Sequence, residues 1–143
     1  MIGQSAILAP IVALAAWTMV MWLWMYATRI PAMRRAKIDV ARLTGGVGKD
    51  LDKVLPPGVQ WKAHNYNHLL EQPVLFYAIT LVLAMVGAGG GFNLALAWAY
   101  VGLRIAHSIV QATINRVAVR FTLFALASLC LAALTLHAAI IVF

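Results

Sequence analysis

The sequence predicts an all-α integral membrane protein, a bundle of four spanning helices formed by a single domain. Of its 143 residues, 64% are hydrophobic and only 10% are charged, whereas soluble domains average about 45–50% apolar and about 25% charged residues. The charges are also unevenly distributed, because long uncharged runs at the two ends flank a basic segment and two further apolar runs. A chain of this length corresponds to one domain.

The first predicted span covers residues 6–28. No charged side chain occurs before Arg29, and about 20 apolar residues suffice to cross a bilayer as a helix. A cleaved signal peptide would have a basic start and a shorter apolar core of about 7–15 residues, so we expect this segment to be retained. Trp17, Trp22 and Trp24 gather toward its end, as aromatic residues do at membrane interfaces.

The connection 29–60 is the strongly polar part of the chain. Its glycines and the run Pro56-Pro57-Gly58 interrupt helices. Two interpretations are open: a solvated loop that sets the topology, or a short amphipathic helix over Arg34–Leu43 on anionic headgroups. The basic residues of this connection outnumber its acidic ones, Arg29, Arg34, Arg35, Lys37, Arg42, Lys49 and Lys53 against Asp39, Asp50 and Asp52.

The remaining spans are predicted over residues 61–86, 92–115 and 121–143. Pro73 lies within the second span, where neighbouring helices can accommodate a kink, and Gly87–Gly91 forms an uncharged turn. The first and third connections are basic, while the second connection and both termini lack Lys and Arg. The positive-inside rule therefore places connection 29–60 in the cytoplasm and both termini outside it.

Two ionisable side chains within the apolar spans indicate a polar interior. Glu71 is the last acidic residue of the chain, and Arg104 is the arginine inside the third span. At 1.5 Å per residue, both lie roughly 15–18 Å from the cytoplasmic boundary. Charged groups at such depths are costly and normally face a bundle interior or a cavity. We therefore expect Glu71 and Arg104 to meet in a buried polar pocket.

Helical spacing places other polar side chains beside that pair. Asn67 lies one turn before the acidic residue, and His107 and Gln111 share the helix face of the buried arginine. Arg116 and Arg120, four residues apart, would line the mouth of the pocket. A purely structural pair that joins two helices remains an alternative.

Several other functional classes are disfavoured by the sequence. The basic residues do not form a dense run interleaved with stacking aromatics, which argues against a nucleic-acid partner. The single cysteine, Cys130, excludes an internal disulfide and a cysteine-cluster metal site. No metal-ligand spacing such as HExxH occurs, and the glycine-rich turn lacks the Lys-Ser/Thr of a phosphate-binding loop.

Two segments resemble the membrane-associated proteins in eicosanoid and glutathione metabolism, the MAPEG family. The first follows Lys62-Ala63-His64 and is similar to the family's Asn/Glu/Pro/Phe motif, reading Asn67-His-Leu-Leu-Glu71-Gln-Pro73-Val-Leu-Phe76. The second resembles the microsomal prostaglandin E synthase branch in its spacing, reading Arg104-Ile-Ala-His107-Ser-Ile-Val-Gln111 with Arg116 and Arg120 after it.

The resemblance implies a bacterial-type homotrimer of four-helix subunits that binds glutathione between subunits near the cytoplasmic side. It also implies a transferase or peroxidase whose lipophilic electrophile enters from the bilayer. We expect a bacterial inner membrane, although the distribution of basic residues suits the endoplasmic reticulum equally well. Arg120 would be catalytic by stabilising the thiolate, because a nearby guanidinium lowers the pKa of a thiol. The side chains implied in glutathione binding are His64, Asn67, Glu71, Arg104, His107, Gln111 and Arg116.

Two departures from the family pattern keep other functions open. Four residues separate Asn67 from Glu71, where the mammalian pattern usually has three, and Gln111 replaces a tyrosine found in many catalytic members. A non-catalytic lipid-binding or scaffold protein on the same fold is therefore the alternative. A small transporter or proton relay built on Glu71 and His107 is disfavoured, since the chain lacks the repeated halves that such carriers often display.

Overall fold

The computed structural model describes residues 5–143, and within that range all regular structure is helical. The predicted fold class is thereby confirmed. Two short 3₁₀ segments, Val40–Arg42 and Gly48–Lys53, lie in the polar connection. The five α-helices are α1 (Leu8–Arg35), α2 (Pro57–Leu69), α3 (Pro73–Met85), α4 (Gly91–Ala112) and α5 (Val117–Val142).

Three helical segments among the described residues are long and apolar enough to cross a membrane: α1, α5, and α2 taken together with α3. Helix α4 is not among them. Its 22 residues extend roughly 33 Å, but one of its faces carries arginine, histidine, serine and glutamine. That α4 is the remaining span stays a prediction.

Helix α1 is longer than the predicted first span and continues through Pro31 to Arg35. The amphipathic helix considered over Arg34–Leu43 does not form. The chain leaves α1 at Ala36, Lys37 adopts a positive φ of 54°, and Asp39 caps the first 3₁₀ turn by accepting from the Ala41 amide at 3.1 Å. Residues 39–50 are exposed throughout, as the solvated-loop interpretation requires.

The second predicted span is divided into two helices, α2 and α3, which together make one membrane-capable segment. Helix α2 ends at Leu69, and α3 begins three residues after Leu70 at Pro73. Proline has no amide hydrogen and its ring collides with the preceding turn, so it begins a helix more readily than it continues one. Glu71 therefore lies in the break between α2 and α3 and does not continue the helical face of Asn67.

The turn between α4 and α5 lies a few residues earlier than predicted, because α4 ends at Ala112 and α5 begins at Val117. Asn115 adopts a positive φ of 50°, a conformation that asparagine tolerates better than most residues. Arg116 is the N-cap of α5 and Arg120 lies in its first turn, where Arg120 donates to the side-chain oxygen of Asn115.

The helices pack around an apolar core that is crossed by a few polar links. Helix α4 packs most extensively on α5, and α1 packs on α2. Phe76 is fully buried and stacks on Tyr100 with ring centroids 4.4 Å apart. At the α2–α3 break, Gln72 donates to the Ser128 hydroxyl at 2.8 Å and accepts from the Tyr100 hydroxyl at 3.3 Å. Hydrogen bonds thus connect the α2–α3 break to both α4 and α5.

Candidate functional site

The C-terminal half of α4 buries a continuous polar face. Arg104 is fully buried, as is Ser108, and His107 and Gln111 are only 2% and 6% exposed. The spacing of Arg104, His107 and Gln111 predicted a shared face, and all three side chains are indeed enclosed by the bundle. The face points toward the end of α2 and the first turns of α5.

Arg104 reaches the break between α2 and α3. Its Nη2 donates to the backbone carbonyl of His68 at 3.0 Å, and its Nη1 lies 3.4 Å from Nε2 of the His68 ring. The interruption of the helix frees this carbonyl from the intrahelical ladder, and the guanidinium satisfies it. The Phe124 ring, with its centroid 5.7 Å from the Arg104 guanidinium carbon, covers another side of the charge.

His68 separates Glu71 from Arg104. The Nδ1 atom of His68 lies 2.9 Å from Oε2 of Glu71, whose side chain is 68% exposed. The predicted direct contact between Glu71 and Arg104 is absent among the described residues. The physical reason is the helix break, which turns the carboxylate outward and leaves the histidine between the two charges.

A small pocket of about 200 Å³ opens beside these groups. It is lined by His68, His107, Val117, Arg120, Phe121 and Phe124. The His68 ring lies 5.0 Å from the His107 ring and 5.4 Å from the Phe124 ring, measured between centroids. Two imidazoles and a guanidinium therefore face apolar side chains of α5 across one cavity.

Several buried polar atoms around this pocket have no protein hydrogen-bond partner within the described range 5–143. They are Nε of Arg104, Nδ1 of His107, Oε1 of Gln111 and Nε of Arg120. Buried polar atoms in native structures are nearly always hydrogen-bonded to protein or to ordered water. The set contains cationic donors and an amide acceptor, which suits a ligand that carries both anionic and donor groups.

A second polar cluster lies where the connection meets α1 and α2. Gln60, only 2% exposed, accepts from the Arg29 guanidinium at 3.0 Å and donates to Asp52 at 2.5 Å. His64 Nε2 lies 2.8 Å from the same Asp52 oxygen. The hydrogen bonds from Gln60 and His64 hold the pKa of the Asp52 carboxyl below its ordinary value. A cleft of about 520 Å³ adjoins this cluster, with His64 and Asn67 among its lining residues.

Comparison with known proteins identifies the family. A family model described as MAPEG matches residues 7–140, nearly the whole chain. The chain belongs to the MAPEG family. No curated protein and no solved structure matched it. With its membrane-capable helices, membership shows an integral membrane protein whose general function relates to glutathione or eicosanoid metabolism.

In this MAPEG protein the predicted site residues fall into separate groups. Arg104, His107 and Gln111 share the buried face, and Arg120 lines the small pocket beside it. Glu71 reaches that group only through His68. The other predicted residues lie elsewhere, with His64 and Asn67 at the larger cleft and Arg116 exposed at the N-cap of α5.

Sequence reasoning missed two residues of the candidate site. Asn65 is fully buried and donates to the Ser108 hydroxyl of α4 at 2.5 Å. His68, three residues further along, lines the small pocket and contacts the Arg104 guanidinium. The intervals Asn65–His68 and His68–Glu71 are both i, i+3, the spacing of neighbours on one helix face, and this signal would have found them.

Proposed function

We propose that the protein is a glutathione-dependent membrane transferase or peroxidase that acts on lipophilic electrophiles. The observation that carries the proposal is the pocket beside α4 and α5, which Arg120 lines, together with the buried Arg104 next to it; the Nε atoms of both arginines have no partner in the described part of the chain. The family match supports the same class of ligand.

The residues fit the chemistry of glutathione. This tripeptide carries two carboxylates, an amine, two peptide groups and a thiol, so its site requires cations, an acid and amide partners. Nε of Arg104 and Nε of Arg120 suit anionic oxygen or sulfur, because charge-assisted hydrogen bonds are the strong ones. Oε1 of Gln111 suits a peptide N–H, and the outward carboxylate of Glu71 suits the amine.

Arg120 is the residue to which we assign thiolate stabilisation. It is fixed at the start of α5 by its bond to Asn115, and it lines the pocket. Glutathione supplies the nucleophilic sulfur when bound, and a guanidinium beside a thiol favours the ionised form. Arg116, exposed at the N-cap of α5, would attract the anionic ends of the tripeptide, and His64 and Asn67 at the larger cleft would offer hydrogen bonds to it.

The apolar wall of the pocket supports a lipophilic second substrate. Val117 is 72% exposed and Phe121 is 70% exposed, and both lie in the first turns of α5 beside Arg120. In a bilayer such residues face lipid or a neighbouring subunit. An electrophile dissolved in the membrane would reach the sulfur from this side. We assign the polar end of the bundle to the cytoplasm of a bacterial inner membrane, and the active form to a homotrimer.

The test is a glutathione titration of detergent-purified protein, followed by turnover assays with a panel of lipophilic electrophiles and hydroperoxides. Arg120→Ala should retain helical content and elution volume yet lose at least about tenfold in turnover, the equivalent of one charge-assisted hydrogen bond. Arg42→Ala is the matched control, because its side chain is 88% exposed and pairs with Asp39 on the surface. Wild-type protein that neither binds glutathione nor turns over any substrate contradicts the proposal.

The alternative is a non-catalytic lipid-binding or scaffold protein on the same fold. Gln111 favours it, since this buried side chain cannot titrate. This alternative predicts lipids that copurify with the protein and no thiolate signal on addition of glutathione. Turnover that Arg120→Ala abolishes would exclude it.

A further inference from the structure

We propose that His68 is the general base that takes the proton of the bound thiol, and that Glu71 positions it and passes the proton to solvent. The inference rests on the proposed function, because the thiol is the proton donor. It assigns a chemical step to the residue that stands between Glu71 and Arg104.

The hydrogen bonds of His68 determine which nitrogen can accept a proton. The guanidinium of Arg104 has only donors, so the His68 Nε2 atom that faces Nη1 at 3.4 Å must present its lone pair. The proton of the neutral ring then resides on Nδ1, where it is donated to Glu71 at 2.9 Å. A carboxylate that holds one ring nitrogen protonated leaves the lone pair on the other, and here that lone pair has only the long 3.4 Å contact with Arg104 to give up. This is the arrangement required of a general base.

The position of His68 connects the pocket to solvent. The ring lines the cavity together with Arg120, and it contacts the rings of His107 and Phe124, with the three centroids 5.0–6.3 Å apart. Its side chain is 25% exposed, whereas that of Glu71 is 68% exposed. The pair therefore runs from the cavity wall to the exposed surface of the break, which is the direction a released proton must take.

No other described group offers the same combination. Glu71, Arg104, His107 and Arg120 are the titratable or charged groups that face His68, and they come from the break, from α4 and from α5. Arginine cannot accept a proton. The carboxylate pairs within the described range are Arg42–Asp39, His64–Asp52 and His68–Glu71, and of these only His68–Glu71 borders the pocket.

The proposed step is a simple proton transfer. The S–H bond breaks, its electron pair remains on sulfur, and an N–H bond forms at Nε2 of His68. The Nδ1 proton passes to the Glu71 carboxylate and from there to water, which returns the ring to neutrality. Arg104, released from Nε2, and Arg120 compensate the negative charge of the sulfur. No oxidant, reductant or further reactant is needed.

The first test uses ligand-free protein. ¹⁵N NMR of histidine-labelled wild type should show His68 as the neutral tautomer with a bare Nε2 and a protonated Nδ1. His68→Gln identifies the resonance by its disappearance. A ring protonated at Nε2 in the neutral state would overturn the proposal, since that nitrogen could not accept a proton.

The second test measures thiolate formation directly. Wild type and His68→Gln are mixed with glutathione in a stopped-flow instrument, and the ultraviolet absorbance of the thiolate is followed over a pH series. We expect His68→Gln to bind glutathione within about threefold of wild type but to form thiolate about 10²-fold more slowly. Added imidazole should restore the rate, an outcome that a purely structural loss would not produce.

His137→Gln is the matched control, because His137 is also part-buried and hydrogen-bonded but contacts Asn93 at the other end of α4. It should ionise the thiol at the wild-type rate. If wild type forms thiolate and His68→Gln does so equally fast, the assignment of His68 is wrong while the proposed function stands. If wild type forms no thiolate, the proposed function fails and this inference fails with it.

Discussion

Replacing Arg104 by methionine should weaken glutathione binding strongly at little cost to folding. Arg104 is fully buried, and an arginine at mid-helix costs about 2.5–3.5 kcal/mol on insertion scales. Its bond to the His68 carbonyl contributes about 1.5–3 kcal/mol as a charged hydrogen bond. Its contact with the Phe124 ring contributes about 0.5–1 kcal/mol. The lost hydrogen bond and ring contact nearly cancel the relief of burying a charge. The net change in unfolding free energy should therefore stay within about 1.5 kcal/mol.

Glutathione affinity should fall much further in the same variant. A lost charge-assisted contact worth about 1.5–3 kcal/mol corresponds to a roughly 10- to 100-fold weaker Kd. Reversible unfolding in mixed micelles measures the stability, and calorimetric titration of the folded variant measures the affinity. Arg42→Met, at an exposed position, should change neither quantity. Loss of more than about 3 kcal/mol of stability, or wild-type affinity in Arg104→Met, would refute the reasoning.

Three further predictions concern packing and the polar connection. Phe76→Ala should lower the free energy of unfolding by about 3 kcal/mol in a thermal unfolding assay, because the ring is fully buried. Phe143→Ala, at the exposed end, should leave the stability unchanged. Equal effects would contradict the packing account. Gln72→Leu should cost about 1–3 kcal/mol in the same assay, as it removes two side-chain hydrogen bonds; wild-type stability would show that they contribute nothing. The lowered pKa of Asp52 means that its ionised form stabilises the connection. That contribution is present above its unfolded pKa and lost as the pH falls through the folded value. In weak acid, pepsin should therefore cleave Asp52→Asn faster than wild type. In strong acid the two proteins should be cleaved equally fast, and identical rates at every pH would exclude this role.

Much of the fold followed from composition and helical spacing. Uncharged apolar runs predicted the helices, and the intervals from Arg104 to His107 and Gln111 predicted the buried face of α4. These predictions held because a polar side chain in an apolar helix avoids lipid and normally faces the interior of the bundle. The family resemblance, carried by short motifs, agrees with the match to residues 7–140.

The arrangement around Glu71 could not be predicted in the same way. Whether Pro73 kinks a helix or starts a new one depends on what the neighbouring helices offer to the freed backbone groups. Here the guanidinium of Arg104 donates a hydrogen bond to the His68 carbonyl. Gln72 is hydrogen-bonded to Ser128 and Tyr100. Those tertiary partners favour the break, and the break determines that His68, rather than Glu71, contacts the arginine.

The polar stripe of α4 also bears on how the chain is made. A segment with an arginine at its centre partitions poorly into lipid by itself, and the groups that neutralise this penalty lie on α2, which is synthesised earlier, and on α5, which is synthesised later. If α4 is the fourth span, as predicted, its stable insertion therefore depends on contacts with both neighbours. Its close packing on α5 through a turn of four residues, 113–116, makes the two a natural unit of insertion. We therefore expect α4 and α5 to insert together as a helical hairpin, because α4 carries the buried arginine and is the least apolar of the predicted spans.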